Sequence, residues 1–367
     1  MATGHVSAAA PPLLREELAG EDCGVLRLVV DDRRNKKLVR YFPEVPMAAV
    51  PQHVGVIGGG IAGLACARRL QELGIVATVF DTGKRGPGGR ASSRQWTVSG
   101  AGPETAQTPA VMTVPVDHAA QFCAATSERF QELMRALEAE GAVRRWGDDG
   151  RFGTLIVPGD ALEAPTFSPV IDGVKRYVGK EGMGSIVELL ARGVDVRQDV
   201  WVPPSGGIAK LSDGGWEIKE ARRRHRFDAV VIAHNGKCAQ RLTEVGERQP
   251  SAEIHALLRT KFGAALPQGG RRGGGSFQLN SLYSLLFELP VGIIPEAVGD
   301  AAFLRGASPL SWLSNNAAKY AAPGACTTHV WTALSTGEFG AAHKASRRTR
   351  DAHEMHTRCT RDAHEMH

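Results

Sequence analysis

The stretch Val54-Gly55-Val56-Ile57-Gly58-Gly59-Gly60-Ile61-Ala62-Gly63 decides the fold. A short apolar run of strand composition ends in glycines. Ile61 to Leu73 then reads as a helix, small and apolar on one side, with Arg68, Arg69, Gln71 and Glu72 on the other. Gly74 stands where a glycine ends such a helix. Ile75-Val76-Ala77-Thr78-Val79-Phe80 follows as a second buried strand, closed by Asp81. Gly-x-Gly-x-x-Gly alone is a weak signal in a chain with 43 glycines. The strand before it, the helix after it and the second strand ending in an acid supply the context its mechanism needs. Gly58 permits the tight turn, Gly60 lets the backbone approach a pyrophosphate, and Gly63 lets the helix pack close to the strand. Together with Gly59, Ile61 and Ala62 they present free N–H groups and a positive helix end to phosphates. Asp81, 18 residues after Gly63, is placed to accept hydrogen bonds from ribose hydroxyls and disfavours a 2′-phosphate. The reading is a dinucleotide-binding βαβ unit in an α/β, Rossmann-like domain.

The next segment, Gly83-Lys84-Arg85-Gly86-Pro87-Gly88-Gly89-Arg90-Ala91-Ser92-Ser93-Arg94, bears on which dinucleotide is held. A plain nicotinamide dehydrogenase has no need of a second Gly-rich loop directly after the ribose acid. A longer ligand does. Gly88 and Gly89 allow close backbone approach, and Arg90 is a charge-assisted donor to phosphate. The expected cofactor is therefore FAD.

Composition narrows the remaining classes. A chain of 367 residues, 43% hydrophobic and 23% charged, fits two domains. Its net charge of +5 is carried partly by Arg33-Arg34-Asn35-Lys36-Lys37 and Arg222-Arg223-Arg224-His225-Arg226. These runs read as solvated faces or turns, with no interleaved aromatics to stack on bases, so no nucleic-acid partner is expected. No apolar run approaches the roughly 18 residues needed to span a bilayer, so no membrane partner is expected. The six scattered cysteines have neither disulfide nor zinc spacing and read as free thiols in a reducing compartment. Acids at Glu16, Glu17, Glu21 and Asp22 are unusual for a transit peptide. The expectation is an intracellular, soluble protein of the cytoplasm or a plastid. At the C-terminus, Thr349 to His356 recurs word for word as Thr360 to His367. Its His-Glu-Met-His groups lack the spacing that sets two histidines on one helix face, so no metal is expected.

Further along the chain, Ser127 to Glu140 reads as a capped helix with Phe130, Leu133, Met134 and Leu137 on one face. Gly184 to Arg192 reads as a helix. Asp195 to Val202 and Phe227 to Ala233 read as strands. The expected organisation is a poorly ordered leader over 1–50 with one strand candidate at Val25–Val30. A discontinuous FAD-binding domain follows over 51–100 and 176–235, a mixed-sheet substrate domain over 101–175 and 236–345, and a disordered tail over 346–367.

These motifs resemble the flavin amine-oxidase superfamily and, more narrowly, its renalase-like branch of plant and algal type. The resemblance rests on Ile57 to Leu64, Val79-Phe80-Asp81 and Gly88-Gly89-Arg90. It extends to Asp117-His118-Ala119-Ala120-Gln121-Phe122, where Ala119 replaces the branch's glycine. Tyr177 to Met183, Asp228 to Asn235 and Trp312-Leu313-Ser314-Asn315-Asn316 add to it. It implies flavin-mediated oxidation of a small-molecule substrate by hydride transfer, with O₂ or another acceptor reoxidising the flavin; NAD(P)H stays open as a further partner. It also implies that the backbone of Val200 contacts the adenine. The family's C-terminal Gly-Asp turn and glycine-opened helix have no counterpart after Ala345, so a weakened flavin pocket or a truncated product is expected.

Catalytic residues are not assigned. His118 reads as structural or lining, because neighbours on a strand face opposite ways and Asp117 is then turned from it. His234 reads as a satisfied histidine at a strand end. An NAD(H)-dependent dehydrogenase, a nucleotide binder without turnover and a non-functional gene product stay open as alternatives.

Overall fold

The computed structural model describes residues 50–99, 111–160, 162–204, 206–243, 254–258, 280–306 and 308–343. The expected leader strand, the basic run at 33–37 and the repeated tail lie outside them. Strand β1 (His53–Ile57), helix α1 (Ile61–Glu72) and strand β2 (Val76–Phe80) form in that order. The helix ends at Leu73, and Gly74 turns the chain at φ +77°. β1 lies between β2 and Ala229–Ile232, and β2 pairs on its other side with Asp195–Arg197. Every pairing in this sheet is parallel, and parallel sheets need both faces covered.

The alternation of β1 sends Val54 and Val56 to one face and Ile57 to the other. On the first face they pack with Leu64 and Ala67 of α1, with Val79, and with Val187 of the helix Gly184–Ala191. On the second, Ile57 and Phe80 pack with Val200, Ile208, Ile218 and Phe227. That cover is a three-stranded antiparallel meander, Ile208–Lys210, Trp216–Glu220 and Arg223–Phe227. Gly55 allows it to close down, since a Cβ there would stand 2.5 Å from Ile218 Cδ1. The basic run lies along the meander's last strand, where Arg224 pairs with Glu217, Arg226 with Asp213, and His225 with Glu220.

Two expected strands are shorter than their apolar patterns. The one from Asp195 stops at Arg197 because Asp199 takes a left-handed conformation, φ 55°. Val200 then turns its N–H to the carbonyl of Asp81 at 2.9 Å. The apolar run from Phe227 is divided at Asp228, whose carboxylate accepts from the N–H groups of Gln52 and His53 at 2.8 and 2.9 Å.

A six-stranded mixed sheet forms the second layer system. Its order is Ser284–Pro290, Thr328–Ser335, Leu310–Asn315, Ala301–Gly306, Phe152–Val157 and Thr166–Pro169. Only Ala301–Gly306 against Phe152–Val157 is parallel. A three-stranded sheet, Cys123–Ala125, Lys175–Gly179 and Val143–Arg145, packs with the helix Glu128–Ala139. Ser127 caps that helix, accepting from Phe130 N–H. Ser93–Ser99 and Val111–Asp117 pair as an antiparallel hairpin. No helix among the described residues is long and apolar enough to cross a membrane.

Candidate functional site

At the C-terminal ends of β1 and β2 the chain makes two glycine loops, and they are hydrogen-bonded to each other. Gly58 turns at φ +113° and donates to the Phe80 carbonyl at 2.8 Å. Gly63 sits directly beneath it. A Cβ at Gly63 would stand 1.9 Å from the carbonyl oxygen of Gly58, so no other residue fits without opening the turn. From the second loop, Gly88 N–H donates to the Gly59 carbonyl at 2.7 Å. Gly88 and Gly89 both take positive φ. The helical turn Gly89–Ala91 that follows leaves Arg90 exposed, with no ion pair among the described residues.

The N-terminus of α1 opens between these loops. Its N-cap, Gly60, supplies no side-chain cap, and its first turn carries no acid. Ile61 and Ala62 are exposed there, and a Cβ placed on Gly60 would meet no atom within 4 Å. The orphan N–H groups and positive end of a twelve-residue helix therefore point into open space.

Asp81 closes the same space from the side. It is buried, and Oδ1 accepts from Gly59 N–H at 3.3 Å. Oδ2 is buried with no hydrogen-bond partner among the described residues. Gly59 and Gly83 fence it, since a Cβ on either would stand 2.7 Å from Asp81 side-chain atoms. A buried carboxylate oxygen left without a donor is costly unless a ligand hydroxyl supplies one. Val200 lies behind Asp81, buried, with its N–H held by the Asp81 carbonyl. His234 is close to Gly58, and burial holds its imidazole below its ordinary pKa, opposed by the charge of Asp81.

A polar knot lies deeper, and the motif reading missed most of it. Asp117 is fully buried, as is Lys319, whose Nζ donates to Oδ2 at 2.7 Å. Tyr320 hydroxyl donates to the same oxygen. On Oδ1, Ser93 hydroxyl donates at 2.6 Å and Met183 N–H at 2.9 Å. Asp117 N–H donates to Asn316 Oδ1 at 3.1 Å. The knot thus joins the hairpin, the lead-in to the helix Gly184–Ala191, and the short helix Asn316–Tyr320. Burial pushes the Lys319 ammonium below its ordinary value, against the opposing pull of Asp117. Burial raises the Tyr320 phenol well above its own, reinforced by Asp117. The strand ends at Asp117, and His118 beyond it is half-buried with Nδ1 lacking a hydrogen-bond partner among the described residues. Burial and then Arg94 hold His118 below its ordinary pKa, against Ser92 and Asp117.

The family described as NAD(P)-binding Rossmann-like domain matches residues 56–137. The matched stretch begins in β1 and takes in α1 and β2, so the likeness falls on the Rossmann-like part of the parallel sheet. Solved structures extend the likeness beyond that domain. An oxidoreductase from Methanosarcina mazei aligns at TM-score 0.50 and 12% identity, covering 83% of this chain and 83% of that one. A protein from Pyrococcus furiosus aligns at 0.50 and 11%, covering 82% and 83%. A putrescine oxidase variant from a redesign of cofactor binding aligns at 0.50 and 12%, covering 79% and 76%. At these identities the likeness is one of fold.

Proposed function

We propose that this chain is an FAD-dependent oxidoreductase of the renalase-like or amine-oxidase-like kind, oxidising a small organic molecule. The buried, partnerless Oδ2 of Asp81 beside the open N-terminus of α1 carries the reading. Phosphates would sit against the N–H groups that follow Gly60, and Asp81 would take the adenosine ribose. The hydrogen bond from Gly88 to Gly59 supports FAD over a plain nicotinamide cofactor, because it sets a second open glycine loop and Arg90 beside the first. When bound, FAD supplies a two-electron acceptor for the substrate. The Val200 N–H is held by Asp81, so an adenine contact there falls to the Val200 carbonyl.

The parallel sheet with its helices and meander would form the cofactor body, and the six-stranded sheet the substrate body. His118 and His234 are held neutral by burial and would contribute lone pairs rather than charge. No acid or base is assigned a proton-transfer role.

An NAD(H) dehydrogenase is the second reading, favoured by the matched family's description. One experiment separates the two. Purified full-length protein is mixed with FAD, gel-filtered, and its visible spectrum recorded. Retained flavin absorption supports the proposal. A colourless protein that binds NADH overturns it in favour of the dehydrogenase.

A further inference from the structure

One face of the six-stranded sheet carries a cleft of about 340 Å³, at the small end for a ligand site and sized for one or two rings. Its floor is aromatic. Phe303 and Trp312 are register partners on adjacent antiparallel strands, with ring centroids 4.9 Å apart. Phe122 packs against both, at 6.5 and 5.7 Å. Its rim includes Ala119, and the neighbouring Ala120 N–H donates to the Arg90 carbonyl at 2.9 Å. The cleft therefore adjoins the second glycine loop.

The polar groups on its wall are unequal. Gln121 is fully engaged within the protein: its amide donates to the carbonyls of Asp117 and Ala119, and its oxygen accepts from Ser314. Ser311 hydroxyl donates to the carbonyls of Leu334 and Ser335. Arg305 is different. It is exposed, lines the cleft two residues from Phe303, and makes no ion pair among the described residues. No aspartate or glutamate is among the residues that line the cleft.

The aromatic floor takes a planar ring, while one unengaged guanidinium and no carboxylate favour an anion on that ring over an ammonium, which would meet a like charge and only the ring faces to offset it. We propose that this cleft binds an aromatic carboxylate of one or two rings, held by Arg305 over the Phe303–Trp312 pair. The assignment rests on the proposed function only in taking the cleft as the substrate side.

The test is calorimetric titration of the full-length protein at neutral pH, with FAD added and without it. The probes are naphthoate and naphthylmethylammonium, alike in shape and opposite in charge. Naphthoate should bind about ten-fold tighter or more, the range a charge-assisted hydrogen bond supports. Arg305→Gln should reduce the preference to about two-fold or less without shifting the melting temperature, because an exposed arginine holds nothing in the core. Equal affinities, tighter ammonium binding, binding of neither probe, or a preference that survives Arg305→Gln overturns the inference. Flavin retention is read separately. A protein that holds FAD but shows no anion preference loses this inference alone. One that prefers naphthoate through Arg305 yet holds no FAD keeps it while the proposed function falls.

Discussion

Removing the two partners of the Asp117–Lys319 pair should have unequal effects, and the inequality follows from the other donors around Asp117. In Lys319→Met the carboxylate stays buried, yet Ser93, Met183 N–H and Tyr320 still donate to it. Those three donors go on satisfying the carboxylate oxygens after the ammonium is gone. The methionine fills the space beside Trp146, whose ring lies 4.7 Å from the ammonium. The loss should be about 1.5–3 kcal/mol, one hydrogen bond to a charged group. In Asp117→Ala the ammonium stays fully buried and loses its only hydrogen-bond acceptor among the described residues. Breaking a buried pair in this sense costs about 3–5 kcal/mol. Three donors are orphaned as well, at up to about 1–3 kcal/mol each. That total rivals the whole stability of an ordinary domain, about 5–15 kcal/mol. The decisive comparison is the double variant, Asp117→Ala with Lys319→Met. Deleting the stranded ammonium should make it more stable than Asp117→Ala alone, although it carries one more substitution. Urea denaturation followed by tryptophan fluorescence, with Trp146 beside the site, measures all three. Where the single variant is too unstable to purify, soluble yield ranks the pair. A double variant as unstable as the sum of the singles, or Lys319→Met as damaging as Asp117→Ala, would refute the argument.

Asp81→Asn should weaken FAD binding about ten- to hundred-fold, since one oxygen of the carboxylate becomes an amide donor facing ribose hydroxyls. The melting temperature of the cofactor-free protein should not fall, because Oδ2 makes no internal hydrogen bond. Gly63→Ala should abolish flavin retention and cost about 1–3 kcal/mol by overpacking, the obstacle being backbone rather than a movable side chain; intact binding in an equilibrium titration would contradict the close approach. His118, His234 and His329 are all held below their ordinary 6.5 by burial, so the unfolded chain takes up their protons first as pH falls. Stability should therefore drop as pH goes below 6.5 toward the lowered folded values, and a melting temperature that stays flat from pH 7.5 to about 5 would count against it. Gln121→Leu should cost about 1–3 kcal/mol by stripping partners from Ser314 and two carbonyls. It should also loosen both flavin retention and cleft binding; an unchanged pair of affinities would show that the 117–122 segment does not link them.

What was legible in the chain was what is local. The βαβ unit can be read because strand, turn, helix and closing acid lie within thirty residues, and each element has its own period and punctuation. The same logic locates the capped helix after Ser127 and the parallel strand at Ala229–Ile232. The polar knot is hidden for the opposite reason. Lys319 stands 202 residues from Asp117, in a short Asn-Asn-Ala-Ala-Lys-Tyr stretch where a lysine reads as solvent-facing. Ser93 sits in the tail of the second glycine loop, with nothing nearby to mark it as a ligand of Asp117. The strand ending at Arg197 shows the limit from another side. Apolar residues at 200 and 202 continue the pattern, yet the chain bends at Asp199 because Val200 is taken by Asp81. Burial is visible in such a pattern, and the partner that bends it is not.

The segment from Asp117 to Phe122 ties these separate readings together. Asp117 anchors it in the knot, Ala120 binds it to the glycine loop through the Arg90 carbonyl, and Phe122 forms part of the aromatic floor. Gln121 then locks the turn between them by bonding back to Asp117 and across to Ser314 of the large sheet. A segment so held cannot shift toward the cleft without disturbing the loop, because Asp117, Ala120, Gln121 and Phe122 are each fixed to surrounding elements. Buried polar groups fully satisfied in this way favour one arrangement over its neighbours. The knot's contribution to function is therefore geometric: it sets the distance between the face that would hold phosphates and the face that would hold a ring, and it does so from residues that touch neither.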